Sequence, residues 1–132
     1  VPGVSSSIAV PELVGIPVTH RDYASSVTIL TGHNKFGGAG VDWASAARVG
    51  GTLVIMMGMG NAATISKKLM DNGKSPQTKV AVISSGTRLE QCTITTTLDK
   101  LVEAICENNL KAPGIIVVGD AVSERIKLGD LC

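Results

Sequence analysis

The sequence predicts an α/β fold with a mixed, partly antiparallel sheet of about five strands flanked by helices. Three observations lead there. Short apolar or β-branched runs alternate with amphipathic segments, and glycine punctuates most junctions between them. Two strand-like runs also follow one another directly around Gly86-Thr87-Arg88, which requires at least one antiparallel pairing. With 132 residues and 44% hydrophobic composition, the chain has the size and apolar content of one packed core, so residues 1–132 read as a single domain.

The elements follow in order. After Pro2-Gly3, the hydroxyls of Ser5, Ser6 and Ser7 suit the N-cap of a short helix running to Val14, with Pro11 at an early helical position. Ser26 to Thr31 is a β-branched strand ended by Gly32, and Asn34 to Val41, with Gly37-Gly38-Ala39-Gly40, reads as a mobile loop. Asp42 to Val49 is a short helix closed by Gly50-Gly51. Thr52 to Met57 is a continuous apolar run, as in a strand buried on both faces. Asn61 starts a helix to Asn72, closed by Gly73. Lys79 to Ser84 is another buried strand, and the threonine-rich Gln91 to Thr97 a more polar one. Leu98 to Asn108 carries apolar residues at helical spacing, and Gly114 to Gly119 is the last buried strand.

A formal charge of +1 with interspersed signs offers no field to attract nucleic acid. No apolar run approaches the roughly 20 residues that span a bilayer. The three cysteines, Cys92, Cys106 and Cys132, lack metal or redox spacing and read as reduced thiols in a cytoplasmic protein, with no metal expected. Neither a nucleophile elbow nor a phosphate-binding lysine loop occurs. Gly58-Met59-Gly60-Asn61-Ala62-Ala63 fits a dinucleotide fingerprint after a strand, but the next strand, Lys79 to Ser85, has no acidic residue to hold ribose hydroxyls. A tight strand-to-helix turn explains these glycines better.

Several segments taken together resemble a known family. They are Val1-Pro2-Gly3-Val4-Ser5-Ser6, Gly15-Ile16-Pro17-Val18-Thr19-His20-Arg21, Thr31-Gly32-His33, Asp42-Trp43, Gly51 to Gly58, Gly86-Thr87 and Ala112 to Gly119. In this order they are similar to the second half of the uroporphyrinogen-III C-methyltransferases, members of the tetrapyrrole methylase family. The resemblance implies the C-terminal half of that fold, S-adenosylmethionine as cofactor, and methylation of uroporphyrinogen III at C2 and C7 to precorrin-2 for sirohaem and cobalamin synthesis. It also implies a homodimer and a separate N-terminal domain holding the acid/base residues and two glycine-rich cofactor loops. The absence of those loops, and a start at Val1 without an initiator methionine, suggest a fragment with little activity alone. A sister methylase acting on a later precorrin or in diphthamide synthesis, and a non-catalytic nucleotide-binding module, are the alternatives.

The resemblance assigns Ser5, Ser6, Met57, Gly86, Ala112, Pro113 and Gly114 to the cofactor, and implies no catalytic residue in this half. The types are suitable. Thioethers are soft and polarizable, small residues admit close approach, and a helix N-terminus offers unpaired N–H donors to a carboxylate. Arg21, with His20 beside it, is the first choice for the carboxylates of the substrate, because a guanidinium grips a carboxylate with paired hydrogen bonds. His33 is a possible helper at the substrate mouth, and Lys35 a weaker one.

Overall fold

The computed structural model describes residues 1–33 and 40–128 of the chain. Its elements are α1 (Ser6–Leu13), β1 (Val27–Thr31), α2 (Trp43–Arg48), β2 (Thr52–Met56), α3 (Ala62–Asp71), β3 (Lys79–Ser84), β4 (Cys92–Thr97), α4 (Leu101–Glu107), β5 (Gly114–Val118) and α5 (Val122–Leu128). Short 3-10 turns at Met59–Asn61 and Leu98–Lys100 lead into α3 and α4. The five strands form one sheet in the order β1-β2-β5-β3-β4. Only β1 and β2 are parallel; β5 lies antiparallel between β2 and β3, and β4 pairs antiparallel with β3.

The continuous apolar runs occupy the middle of the sheet, where both faces are covered. Leu53, Ile55, Val80, Val82, Ile116 and Val118 point to one face and pack with Ala46, Ile65, Leu69 and Leu101 from α2, α3 and α4. Val54, Ala81, Ile83 and Val117 point to the other, against Val10 and Val14 of the α1 region and Val122 of α5. Most of these side chains are fully buried, each worth about 1.5–3 kcal/mol relative to exposure. The threonine-rich β4 takes an edge, where alternate residues meet solvent.

Local chemistry sets the helix ends. Ser5 caps α1 through its Oγ, which accepts from the Ser7 N–H. Asp42 caps α2, accepting from Ser45 N–H and Ser45 Oγ, and these hydrogen bonds hold its carboxyl below the usual range. At the end of α3, Gly73 (φ 101°) donates to Met70 O while Lys74 N–H reaches Leu69 O.

Four expectations need correction. Pro11 sits in the second turn of α1 rather than at its start. There its missing N–H forfeits one helical bond. Met57 is outside β2 because its φ of 53° turns the chain out of the ladder. The helix expected from Leu98 begins as a 3-10 turn. A fifth helix, α5, was not anticipated at all. Most of the expected loop from Asn34 to Val41 lies outside the described residues.

α5 is fastened by side chains from far along the chain. The Arg125 guanidinium donates to Val14 O at 2.7 Å, Lys79 Nζ donates to Ser123 Oγ at 2.7 Å, and Lys127 reaches both Tyr23 OH and Glu124. Replacing Arg125 with alanine strands the buried Val14 carbonyl and should lower unfolding stability by about 1–2 kcal/mol, read from urea denaturation. An unchanged midpoint would show that the α5 fastening contributes nothing.

Candidate functional site

The topology brings separate segments together at one end of the three central strands. β2 and β3 end there, and β5, running the opposite way, starts there: Met56 stands opposite Ile115, and Ser84 opposite Gly114. Between these strand ends and α1 lies an open cleft of about 790 Å³, within the range of small-molecule and cofactor sites. Its floor is apolar, formed by Val10, Met56, Ile83 and Ile115. The rim carries Ser6, Met57, Gly86, Thr87, Arg88 and the Ala112-Pro113-Gly114 segment.

Six of the seven residues expected at the cofactor therefore share one cleft. Ser5, the seventh, is not in its lining; its hydroxyl is occupied by Ser7 as the α1 cap, with Oγ–Oγ at 2.6 Å. His33 lines the cleft and also a second hollow beside Trp43 and Lys68. Lys35 lies outside the described residues. His20 and Arg21 do not line the cleft. The His20 ring lies 3.7 Å from Glu124 Oε1, stacks near Tyr23, and accepts the Asp22 N–H at Nδ1, so it ties its loop to α5. Arg21 is exposed and forms no ion pair among the described residues.

Two glycines have packing reasons to be glycine. A Cβ on Gly86 would stand 2.6 Å from Val10 Cγ1, and one on Gly114 would meet Met59 at 2.8 Å. Each glycine thus lets α1 or the Met59 turn close against the strand ends. Gly58 is similarly explained, since a Cβ there would stand 2.9 Å from Ile55, whereas Gly60 has open space around it. Gly32 and Gly58 approach so closely that a Cβ on Gly32 would stand 2.5 Å from Gly58 Cα, and Asn61 Nδ2 donates to Gly32 O at 2.7 Å.

The backbone around the rim is strained but held. Met57, Ser85 and Thr87 take left-handed conformations, with φ of 53°, 52° and 70°, which are uncommon for non-glycine residues. Ser85 N–H donates to Pro113 O at 2.8 Å, and the Gln91 side chain accepts the Thr87 N–H at 2.7 Å. The sequence assigns Gly86 to the cofactor and places Gly86-Thr87 among the family-like segments, but gives no role to Arg88 or to the Gln91 side chain that holds Thr87. The available signal was a cation two residues after the glycine assigned to the cofactor.

The architecture has close counterparts. Residues 1–102 match the model of the Tetrapyrrole (Corrin/Porphyrin) Methylases. The chain belongs to this family. A Methanosarcina barkeri protein described as S-adenosyl-L-methionine-dependent uroporphyrinogen III methyltransferase is 46% identical over 98% of this chain and 52% of its own length. The Bacillus subtilis uroporphyrinogen-III C-methyltransferase is 43% identical over 93% of the chain and 26% of that protein. The crystal structure of the Thermus thermophilus uroporphyrin-III C-methyl transferase complexed with S-adenyl homocysteine superposes at a TM-score of 0.78, with 30% identity, across 92% of this chain and 50% of that one. The chain therefore spans from about a quarter to half the length of these relatives. A diphthine synthase structure, at 13% identity and a TM-score of 0.59, shares the fold alone.

In this family member, Gly86→Ala should destabilise the fold by about 1–3 kcal/mol through overpacking against Val10. Adding Val10→Ala should recover part of that loss. Strictly additive costs of the two changes in urea denaturation would refute the contact as the cause.

Proposed function

We propose that this chain supplies one half of the cradle of a uroporphyrinogen-III C-methyltransferase, which methylates C2 and C7 to give precorrin-2. The observation that carries the reading is the convergence of Ser6, Met57, Gly86, Ala112, Pro113 and Gly114 on one cleft. The names and identities of the Methanosarcina and Bacillus relatives support the substrate class.

The residues suit S-adenosylmethionine. When bound, that cofactor supplies an electrophilic methyl group on a sulfonium. In the proposal, the apolar floor and the Met57 thioether face the adenosyl and sulfonium parts, while the small Ala112-Pro113-Gly114 segment admits a flat ring. Ser6 presents the first turn of α1 to the amino-acid end, and Ser5 acts through the cap it makes. Methyl transfer is an in-line displacement, so such a wall serves by alignment and exclusion of water. Arg21 is proposed to meet substrate carboxylates extending beyond the cleft, with His20 holding the loop that carries it.

The described cleft lining contains no carboxylate or lysine, and His33 is its one imidazole. Proton transfer is accordingly assigned to the companion half, corresponding to the length of the relatives this chain does not match. The reading includes a cytoplasmic homodimer. No described helix is long and apolar enough to cross a membrane, and exposed Leu13 and Ile29 are surfaces a partner or the companion half would cover.

The chain alone should show little or no turnover of uroporphyrinogen III. Adding the unmatched half of the Methanosarcina protein in trans should restore methylation, followed by product absorbance. Robust turnover by the isolated chain would contradict the proposal. Calorimetry adds a separate check: S-adenosylhomocysteine should bind while NAD and ATP do not.

A further inference from the structure

We propose that Arg88 is the carboxylate reader of the cleft, gripping an acid group of a ligand seated there. The inference rests on the tetrapyrrole methylase reading above and names a residue which that reading leaves without a role.

Among the described residues lining the cleft, Arg88 is the sole lysine, arginine, aspartate or glutamate. It forms no ion pair with another described residue, so no described carboxylate neutralises it. Its backbone is fixed. Arg88 N–H donates to Ser85 O at 3.0 Å, Gln91 N–H donates to Arg88 O at 3.1 Å, and Thr87 beside it is held by the Gln91 side chain. A long side chain on a fixed base samples a limited volume over the cleft mouth, and less ordering entropy opposes contact with a ligand.

The surroundings strengthen the effect. Val10, Ile83 and Ile115 give the floor apolar walls, and Arg88 stands exposed beside it, so a ligand seated on the floor takes the contact it makes with Arg88 partly out of water. A guanidinium there offers two parallel N–H donors to a carboxylate, a geometry that an ammonium cannot reproduce. Both ligands of the proposed reaction carry carboxylates, the tetrapyrrole on its side chains and the cofactor at its amino-acid end. The chemistry is shared. Arg21, which the sequence put forward for this work, does not line the cleft.

The test uses the 132-residue chain with Arg88→Ala, Arg88→Lys and, as a control, Leu89→Ala, an exposed neighbour outside the lining. Each variant is titrated with uroporphyrin III, a stable polycarboxylate stand-in for the substrate, by fluorescence, and with S-adenosylhomocysteine by calorimetry. R88A should weaken one of the two ligands roughly tenfold, R88K should fall between R88A and wild type, and L89A should match wild type. The affinity lost in R88A should also be the salt-sensitive part. A loss confined to uroporphyrin supports the substrate acid as the group read; a loss confined to S-adenosylhomocysteine supports the cofactor carboxylate. Equal binding by wild type and R88A overturns the role of Arg88 while leaving the proposed function standing. Losses that track a lowered denaturation midpoint overturn it as well, and wild-type binding of neither ligand defeats both proposals.

Discussion

The antiparallel insertion of β5 between β2 and β3 is the constraint on which the site depends. Because β5 runs against both neighbours, its first residues stand beside their last ones, with Met56 opposite Ile115 and Ser84 opposite Gly114. Residues near positions 57, 86 and 112 thereby meet at one rim. Were β5 parallel to β2, Ala112 and Pro113 would emerge at the other end of a five-residue strand, about 17 Å away at strand rise. The matched family model stops at residue 102, yet the sheet is continuous only through β5, whose Ile116, Val117 and Val118 are fully buried. β5 and the start of α5 are thus part of the same core.

Rigid strand ends can hold conformations that an isolated loop would not keep. Left-handed φ at Met57, Ser85 and Thr87 costs about 1–3 kcal/mol per residue, a burden the packed strands behind them offset. At Met57 the benefit is visible in burial. Its side chain is 63% exposed over the cleft, whereas Met56 and Met59 on either side are partly buried against the two cores. The Gly86–Val10 and Gly114–Met59 approaches draw α1 and the Met59 turn against the same strand ends, so the cleft walls are extensions of core packing rather than loose loops.

That distinction governs how much could be read from the residues. Buried strands announce themselves as continuous apolar runs, which made β2, β3 and β5 legible, while β1 and β4 were legible through β-branched and threonine-rich composition, with the antiparallel β3–β4 pair implied by their direct succession. That six residues far apart in the chain line one cleft was legible through their resemblance to a family, not through any period or spacing. What stayed hidden depends on distant partners. α5 has a mostly polar sequence at Ser123, Glu124, Arg125 and Lys127, and is held by contacts to Val14, Tyr23 and Lys79 from the first two thirds of the chain. His20 looked available to a ligand because Glu124, its partner, lies 104 positions away. Met57 reads as strand by composition, and only its backbone shows that it leaves.

The charge pattern of the cleft has a consequence for the division of labour between halves of such an enzyme. Walls of Val10, Met56, Ile83 and Ile115 desolvate any charge placed against them, which is costly without a hydrogen-bonding partner. A proton-transferring carboxylate set into this floor would be raised in pKa by burial or bound up in an ion pair with Arg88. Either outcome would remove a charge the ligands need. In the proposed reading, a wall without acidic groups leaves Arg88 its full charge for a ligand and leaves the floor to orient and dry the reacting parts. The acid/base chemistry is then best carried by groups facing the cleft from the opposite side, where their protonation is set independently of the packing that shapes this one.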